Sequence, residues 1–346
     1  MVRTLCELEV AEGLEDVARK ELIQRVGRGT LSQIRQGPGT LQFIHKADIA
    51  DLLSLKTIAS VYIVHQFDIP RPKALLGHQN FTQILNIIEQ VRQMHRRNTF
   101  QTLHLNAAGS NSSVMQRLKQ DLSENTGLAV DEDEGDLLVR IRPNDNHWDV
   151  LVRMTPRPLA TRHWRVVDFP GALNAPVAQA MVRLARIKPQ DRVLNIMSGS
   201  GSLMIEAYAY RPESQIIGVE INPITLQAAY QNRDAAHIRR RIHLSQADAI
   251  RLPFAASYFD VLLADLPFGN LVGSHALNQE LYPAVLAEAY RVAKAEAHFA
   301  LITHEVNLME QVLGNTQQWI VLDKRKINLR GLHPRIFLLQ KSSENI

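Results

Sequence analysis

A single cysteine, Cys6, stands in 346 residues. That is too few for an internal disulfide and leaves no thiolate cluster to hold a metal. The thirteen histidines show no His-x-x-x-His or similar ligand spacing with carboxylates, so metal is not indicated. No apolar run approaches the length of a bilayer span, and Met1 to Val10 lacks an apolar signal core. Both absences point to a cytoplasmic protein. Charge excess is small, with a formal net charge of +4 and a pI near 9.2, which is only a weak pointer to a polyanionic partner.

What the chain does have is an ordinary core-forming composition, 45% hydrophobic and 21% charged, at a length that suits two or three domains. Its charge is unevenly placed. Residues 71 to 119 carry seven Lys/Arg and one acid, whereas 121 to 136 carry seven acids and no base. Solvated faces account for both runs unless a neighbouring function needs phosphate contacts.

The most informative stretch runs from Asp191 to Ala207. Here an apolar run (Arg192 to Met197) meets a Ser-Gly-Ser-Gly turn and then an apolar-periodic helix. This is the strand, glycine loop and helix opening of a nucleotide-binding α/β unit, in which Gly199 and Gly201 take φ > 0 and let the backbone approach a ligand. About twenty residues on, Ile216 to Glu220 reads as a second buried strand ending in an acid placed to bond ribose hydroxyls, with Ile221 beside it. Asp260 to Asp265 is a further strand, and it runs into Leu266, Pro267 and Phe268.

That tetrapeptide resembles the Asp/Asn-Pro-Pro-Tyr/Phe motif of S-adenosylmethionine-dependent enzymes that methylate exocyclic amino groups of bases. The chemistry accounts for the residue types. An aryl amine is a poor nucleophile and must be oriented in line with the methyl donor. The Asp265 carboxylate and a main-chain carbonyl of Asp265-Leu266-Pro267-Phe268 accept the amino hydrogens, Pro267 fixes the backbone, and Phe268 offers a face for the base.

Before this region, residues 1 to 60 read as a small ferredoxin-like α/β unit. Its expected elements are strands at 5–10 and 40–44 and helices at 13–23 and 47–55. Residues 61 to 155 form a second α+β unit. Helices are expected from Asn80 to Arg97 and from Ser113 to Thr126, with a hairpin of strands at 137–142 and 148–154. A proline-containing linker (156–170) leads into the C-terminal domain (171–346). There seven strands alternating with helices imply a mostly parallel, doubly wound sheet.

Taken whole, the chain resembles the THUMP-containing RNA guanine-N2 methylases. The resemblance implies an α/β protein with a C-terminal class I (Rossmann-like) methyltransferase sheet, whose last strand is antiparallel, behind ferredoxin-like and THUMP domains. It implies S-adenosylmethionine as cofactor, held by Asn195, Ser198, Gly199, Gly201, Glu220, Ile221, Asp248, Ala249 and Asp265. Gln246-Ala247-Asp248 sits where an acid and the next amide hold the adenine ring, although Asp248 could equally cap a turn. It also places the loop and helix from Asp168 to Ala185 over the cofactor. Two departures stand out: Asn195 and Ser198 replace an expected Asp and Cys, and Asn174 stands where a base is expected. tRNA is the implied partner, with phosphates met by Arg96, Arg97, Arg117, Lys119, Arg157 and Arg162. If the THUMP unit engages the 3′ end of tRNA and the linker sets a fixed distance, the target guanosine is position 6 of the acceptor stem, with position 10 as the runner-up. Other structured RNAs, a non-catalytic RNA-binding protein with a degenerate pocket, and a dehydrogenase using the same glycine loop stay open as alternatives.

Overall fold

The protein was analysed as a computed structural model that describes residues 3–145, 147–169, 171–267, 275–329 and 331–343. It divides into two compact units, Met1–Val10 with Ala18–Ala160, and Ala11–Val17 with Thr161–Ile346.

In the first unit the chain runs β1 (Thr4–Val10), α1 (Glu15–Val26), β2 (Leu31–Gly37), β3 (Thr40–His45), β4 (Ile58–Phe67), α2 (His78–Gln93) and β5 (Thr102–Ala107). It continues through α3 (Ser113–Thr126), β6 (Ala129–Val130), β7 (Leu137–Asn144) and β8 (His147–Arg153). The strands form one mixed sheet of order β2-β3-β1-β4-β8-β7-β5-β6. The strands of the two N-terminal segments therefore share a sheet, joined because β4 pairs with β1 on one side and β8 on the other. A strand flanked on both sides and covered on its faces reads as a near-continuous apolar run, as Val61-Tyr62-Ile63-Val64 does. In α2, Ile84, Ile87, Ile88 and Val91 are buried at helical spacing.

The expected bounds of α3 match, because both end signals are in the sequence. Ser112 caps the Met115 N–H, and Gly127 closes the helix at φ 71°. Three expectations differ. The helix expected to reach Arg97 ends at Gln93, leaving Arg96 and Arg97 in a following turn. The helix expected at 47–55 is a short 3₁₀ segment, Ile49–Ser54, capped by Asp48. Edge strand β2, with the single buried residue Leu31, carries too little apolar alternation to be seen. Cys6 is buried in β1, and desolvation pushes its thiol up to about 12, which leaves it unreactive.

The second unit adds α4 (Ala175–Leu184), β9 (Arg192–Ile196), α5 (Ser202–Tyr210), β10 (Gln215–Glu220), α6 (Pro223–Ala235), β11 (Ile242–Gln246) and β12 (Phe259–Asp265). The chain ends with α7 (His275–Val292), β13 (Ala293–Thr303), α8 (Val306–Gly314), β14 (Trp319–Lys326) and β15 (Arg335–Lys341). Its sheet has seven strands in the order β11-β10-β9-β12-β13-β15-β14. The first five are parallel, and β15 runs antiparallel to both neighbours. Central β9 and β12 bury Val193, Leu194, Ile196 and Val261 to Ala264.

This order positions the site. The strand order reverses at β9, with β10 on one side and β12 on the other, so their carboxyl ends open side by side. Gly218 sets how closely α5 lies on the sheet, since a Cβ there would fall 1.9 Å from the Met204 Sδ. Among the described residues no helix is long and apolar enough to cross a membrane, and no cluster of His, Cys, Asp and Glu could hold a metal.

Candidate active site

The carboxyl ends of β9, β10 and β12 enclose a cavity of about 320 Å³. Its floor is the glycine loop, Met197 to Ser200, leading into Ser202 and Leu203 of α5. One side is Glu220 with Ile221, Asn222 and Thr225, and the other is Asp265, Leu266 and Pro267. Phe169 and Gly171 to Leu173 complete the lining.

Backbone conformation builds the floor. Gly199 and Gly201 lie at φ 54° and 94°, the left-handed region that glycine enters without strain. The turn is tied by the Ser198 N–H to the Val219 carbonyl (2.8 Å) and by the Gly201 N–H to the Ser198 carbonyl (2.9 Å). A Cβ on Gly199 would meet nothing within 4 Å, so glycine keeps open space beside the cavity. The Ser198 hydroxyl is buried and has no hydrogen-bond partner among the described residues.

Glu220 is held by main chain alone. One carboxylate oxygen accepts the Gly199 N–H at 3.0 Å and the other accepts the Asn222 N–H at 2.9 Å. Asn222 in turn caps α6 through its side chain, with Pro223 in the first turn.

Across the cavity, Asp265 is in a different environment. No donor bonds it among the described residues, and burial pushes its carboxyl up to about 7. The next residues are anchored: the Leu266 N–H donates to the Ile302 carbonyl at 3.0 Å, and the Pro267 carbonyl accepts from Tyr282 Oη (2.8 Å) and Asn278 Nδ2 (3.1 Å). Phe268 lies outside the described residues.

Of the residues expected to hold the cofactor, Ser198, Gly199, Glu220, Ile221 and Asp265 line one cavity. Gly201 shapes the loop without lining it. Asn195 does not face the cavity. It is fully buried in β9, with its amide donating to the Ile196 and Leu263 carbonyls at 3.1 and 3.2 Å. Asp248 accepts the Ile250 N–H at 3.1 Å in the turn after β11, which is the capping arrangement, and neither it nor buried Ala249 lines the cavity. Phe169, Ala172, Met197, Asn222 and Thr225 line the cavity without having been singled out. The first two fall in the segment expected over the cofactor, and the capping pattern of Asn222 and Pro223 was a readable signal for the Glu220 side.

The basic residues divide. Arg96 and Arg97 are exposed after α2, and Arg117 is exposed with only a 3.7 Å pair to Asp121. Arg157 is exposed and pairs with Glu134 at 2.8 Å. Two expected phosphate contacts need correction. Lys119 is buried, and its ammonium is bound by both oxygens of Glu132. Arg162 is buried too, and pairs with buried Glu206 of α5 at 2.8 Å. A cation engaged in this way inside the protein cannot also reach a phosphate. Three residues on, Arg165 bonds the Leu173 carbonyl (2.6 Å) and the Ser202 hydroxyl (2.9 Å), tying the lining segment to the start of α5.

Residues 162–335 match the model of a family described as RMKL-like, methyltransferase domain (UPF0020). Among curated relatives, the mouse tRNA (guanine(6)-N(2))-methyltransferase THUMP3 is 27% identical over 223 residues, 60% of this chain. The chain spans 44% of the length of that protein, as it does of the bovine and human counterparts. A tRNA (guanine(6)-N2)-methyltransferase of Methanocaldococcus jannaschii is 23% identical over 382 residues, 95% of this chain and 98% of that one. Among solved structures, TrmN from Thermus thermophilus shares the fold with a TM-score of 0.82 at 22% identity, covering 98% of this chain and all of the other.

Proposed function

We propose that this chain, which belongs to the RMKL-like methyltransferase domain family (UPF0020), methylates the exocyclic N2 amino group of a guanosine in tRNA, at acceptor-stem position 6, using S-adenosylmethionine. The observation that carries the reading is the position of Asp265. A carboxyl with no donor among the described residues faces the glycine loop across a single cavity.

The residues present fit the cofactor. Gly199 leaves open space where a side chain would intrude, the buried Ser198 hydroxyl lacks a partner at the wall, and Glu220 stands at the end of the strand next to β9. When bound, S-adenosylmethionine supplies a methyl group made electrophilic by its sulfonium. Glu220 uses one lone pair of each oxygen on main-chain amides, so each retains capacity to accept a ribose hydroxyl. Phe169, Leu173 and Leu203 supply an apolar lining that keeps water out. Asp265, as carboxylate, accepts one amino hydrogen and turns the nitrogen lone pair toward the methyl position, which is the orientation a weak aryl amine needs. An acceptor without a competing donor selects an N–H over ring nitrogens N3 and N7, which have no hydrogen to give.

tRNA and position 6 rest on the names of the relatives that cover most of this chain. In the first unit, the exposure of Arg96, Arg97, Arg117 and Arg157 supports their meeting phosphates. Incubation with bulk tRNA and methyl-labelled S-adenosylmethionine, followed by nucleoside analysis and mapping, tests the whole reading. Label in N2-methylguanosine at position 6 is expected. Label on a ring nitrogen or ribose, or calorimetric binding of a nicotinamide dinucleotide instead of S-adenosylmethionine, would sink it.

A further inference from the structure

Behind the Asp265 wall lies a polar chain that runs from partly buried Glu305 to the Pro267 carbonyl, with its middle members buried. The Glu305 N–H donates to Thr303 Oγ1 at 3.0 Å, Thr303 Oγ1 lies 2.6 Å from Tyr282 Oη, and Tyr282 Oη lies 2.8 Å from the Pro267 carbonyl. Asn278 spans the same space, with its Nδ2 3.1 Å from the Pro267 carbonyl and 2.6 Å from Glu305 Oε1. Tyr282, Asn278 and Thr303 are fully buried, each at 0% exposure.

The direction of this chain is fixed. A carbonyl can only accept, so the Tyr282 hydroxyl must donate to Pro267, and its oxygen then receives the Thr303 hydroxyl hydrogen. Burial pushes the tyrosine hydroxyl up to about 12, so it keeps the proton it donates. The Pro267 carbonyl thereby accepts two hydrogen bonds, one for each lone pair, and is taken up on the side of α7 and β13. A planar peptide whose oxygen is held at two points cannot rotate. That plane sits two residues after Asp265 and leads directly into Phe268 in sequence.

We infer that Tyr282, with Asn278 and Thr303 behind it, is a positioning residue for methyl transfer: by holding the Pro267 carbonyl it fixes the turn that presents Asp265 to the acceptor amine. The inference rests on the methylation reading above. It also removes Pro267 as the main-chain acceptor for the amino group, because its carbonyl has no capacity left.

Steady-state kinetics on bulk tRNA with labelled S-adenosylmethionine, together with calorimetry for the cofactor, tests it. Tyr282→Phe removes one hydroxyl from a closed core. It should lower kcat roughly 10- to 100-fold, the cost of a misplaced reacting group, and leave the cofactor Kd within about threefold. A purely structural role would instead lower the melting temperature and the active fraction without changing kcat per folded molecule. Thr303 supplies the control for folding: Thr303→Ser keeps the hydroxyl and should keep kcat within about twofold, whereas Thr303→Val should fall with Tyr282→Phe. Unchanged kcat in Tyr282→Phe, or equal losses in the Ser and Val variants, overturns the inference while wild-type activity leaves the methylation reading standing. A wild-type protein that labels no RNA overturns that reading and this inference together.

Discussion

The two walls of the cavity solve opposite problems. On the glycine-loop side the charged group and the loop amides are satisfied by main chain, the Ser198 hydroxyl excepted: Glu220 takes the Gly199 and Asn222 N–H groups, and the loop closes on the Val219 and Ser198 carbonyls. On the other side the support is complete behind the surface, where Pro267 has two donors, but the Asp265 carboxyl is left without one among the described residues. A satisfied wall binds. A wall with one desolvated acceptor is held ready for a ligand that brings its own hydrogens, and it carries that group at a cost in stability.

The largest test of this contrast removes the acceptor. Asp265→Ala should lower kcat roughly 10²–10³-fold, from about 2.7–4 kcal/mol of lost transition-state stabilisation, and leave the S-adenosylmethionine Kd within a few-fold. Its pH behaviour sharpens the point. With the folded carboxyl ionising at about 7, wild-type methyl transfer should rise as pH passes up through 7. For stability the sign is opposite. Between about pH 4, where an unfolded Asp ionises, and pH 7 the folded state holds the proton that the unfolded state has lost, so this group's contribution falls as pH rises. Asp265→Asn, neutral throughout, should therefore gain stability over wild type from pH 5 to pH 8, read by urea unfolding. A constant difference across that range would show that the carboxyl is not desolvated.

Glu220 tests the satisfied wall. Glu220→Gln keeps the size but removes the charge that strengthens its bonds to two amides and would strengthen the proposed bond to ribose. Charge-assisted bonds of this kind contribute about 1.5–3 kcal/mol, so cofactor affinity should fall roughly 10- to 100-fold by calorimetry, with kcat at saturating cofactor largely recovered. Loss confined to kcat would assign Glu220 to the other wall.

Much of this was legible because local signals coincide with function. The Ser-Gly-Ser-Gly turn after an apolar run, and Asp-Leu-Pro after another, mark two strand ends, and parallel topology makes those ends neighbours. Asn195 was legible as a strand-end residue and expected to contact the cofactor. Its place in the strand does not say whether the side chain faces ligand or sheet, and the structure has it donating to two carbonyls at 0% exposure. Restoring the carboxylate expected from the resemblance should thus harm the fold. Asn195→Asp loses both donated bonds and sets a charge against carbonyl oxygens, at a cost of about 1–3 kcal/mol for the unsatisfied buried group, measurable as a lower urea midpoint. Tyr282, Asn278 and Thr303 left no trace in the sequence, because Tyr282 on α7 and Thr303 on β13 become partners only when the helix packs against the sheet.

The smallest expected effect separates bases that look alike in the sequence. Arg117 and Lys119 sit two residues apart on α3, yet Arg117 has 72% of its side chain exposed and Lys119 only 4%. The exposed group keeps its long-range field for an approaching polyanion. The buried one has its ammonium within 2.6 Å of Glu132, so its charge is already neutralised within the protein. Phosphate contacts show up as the slope of binding against salt, with each lost contact lowering the slope by about 0.7–0.9. Replacing Arg96 and Arg97 together by Ala should weaken tRNA binding a few-fold at moderate salt and reduce the slope by about 1.5, and Arg117→Ala should reduce it by less than 1. Lys119→Ala should leave the slope unchanged and lower thermal stability instead, since it strips a partner from Glu132 and opens a space inside α3. A shallower slope for Lys119→Ala, with stability intact, would place the RNA against the acidic run as well and reverse the assignment of that face.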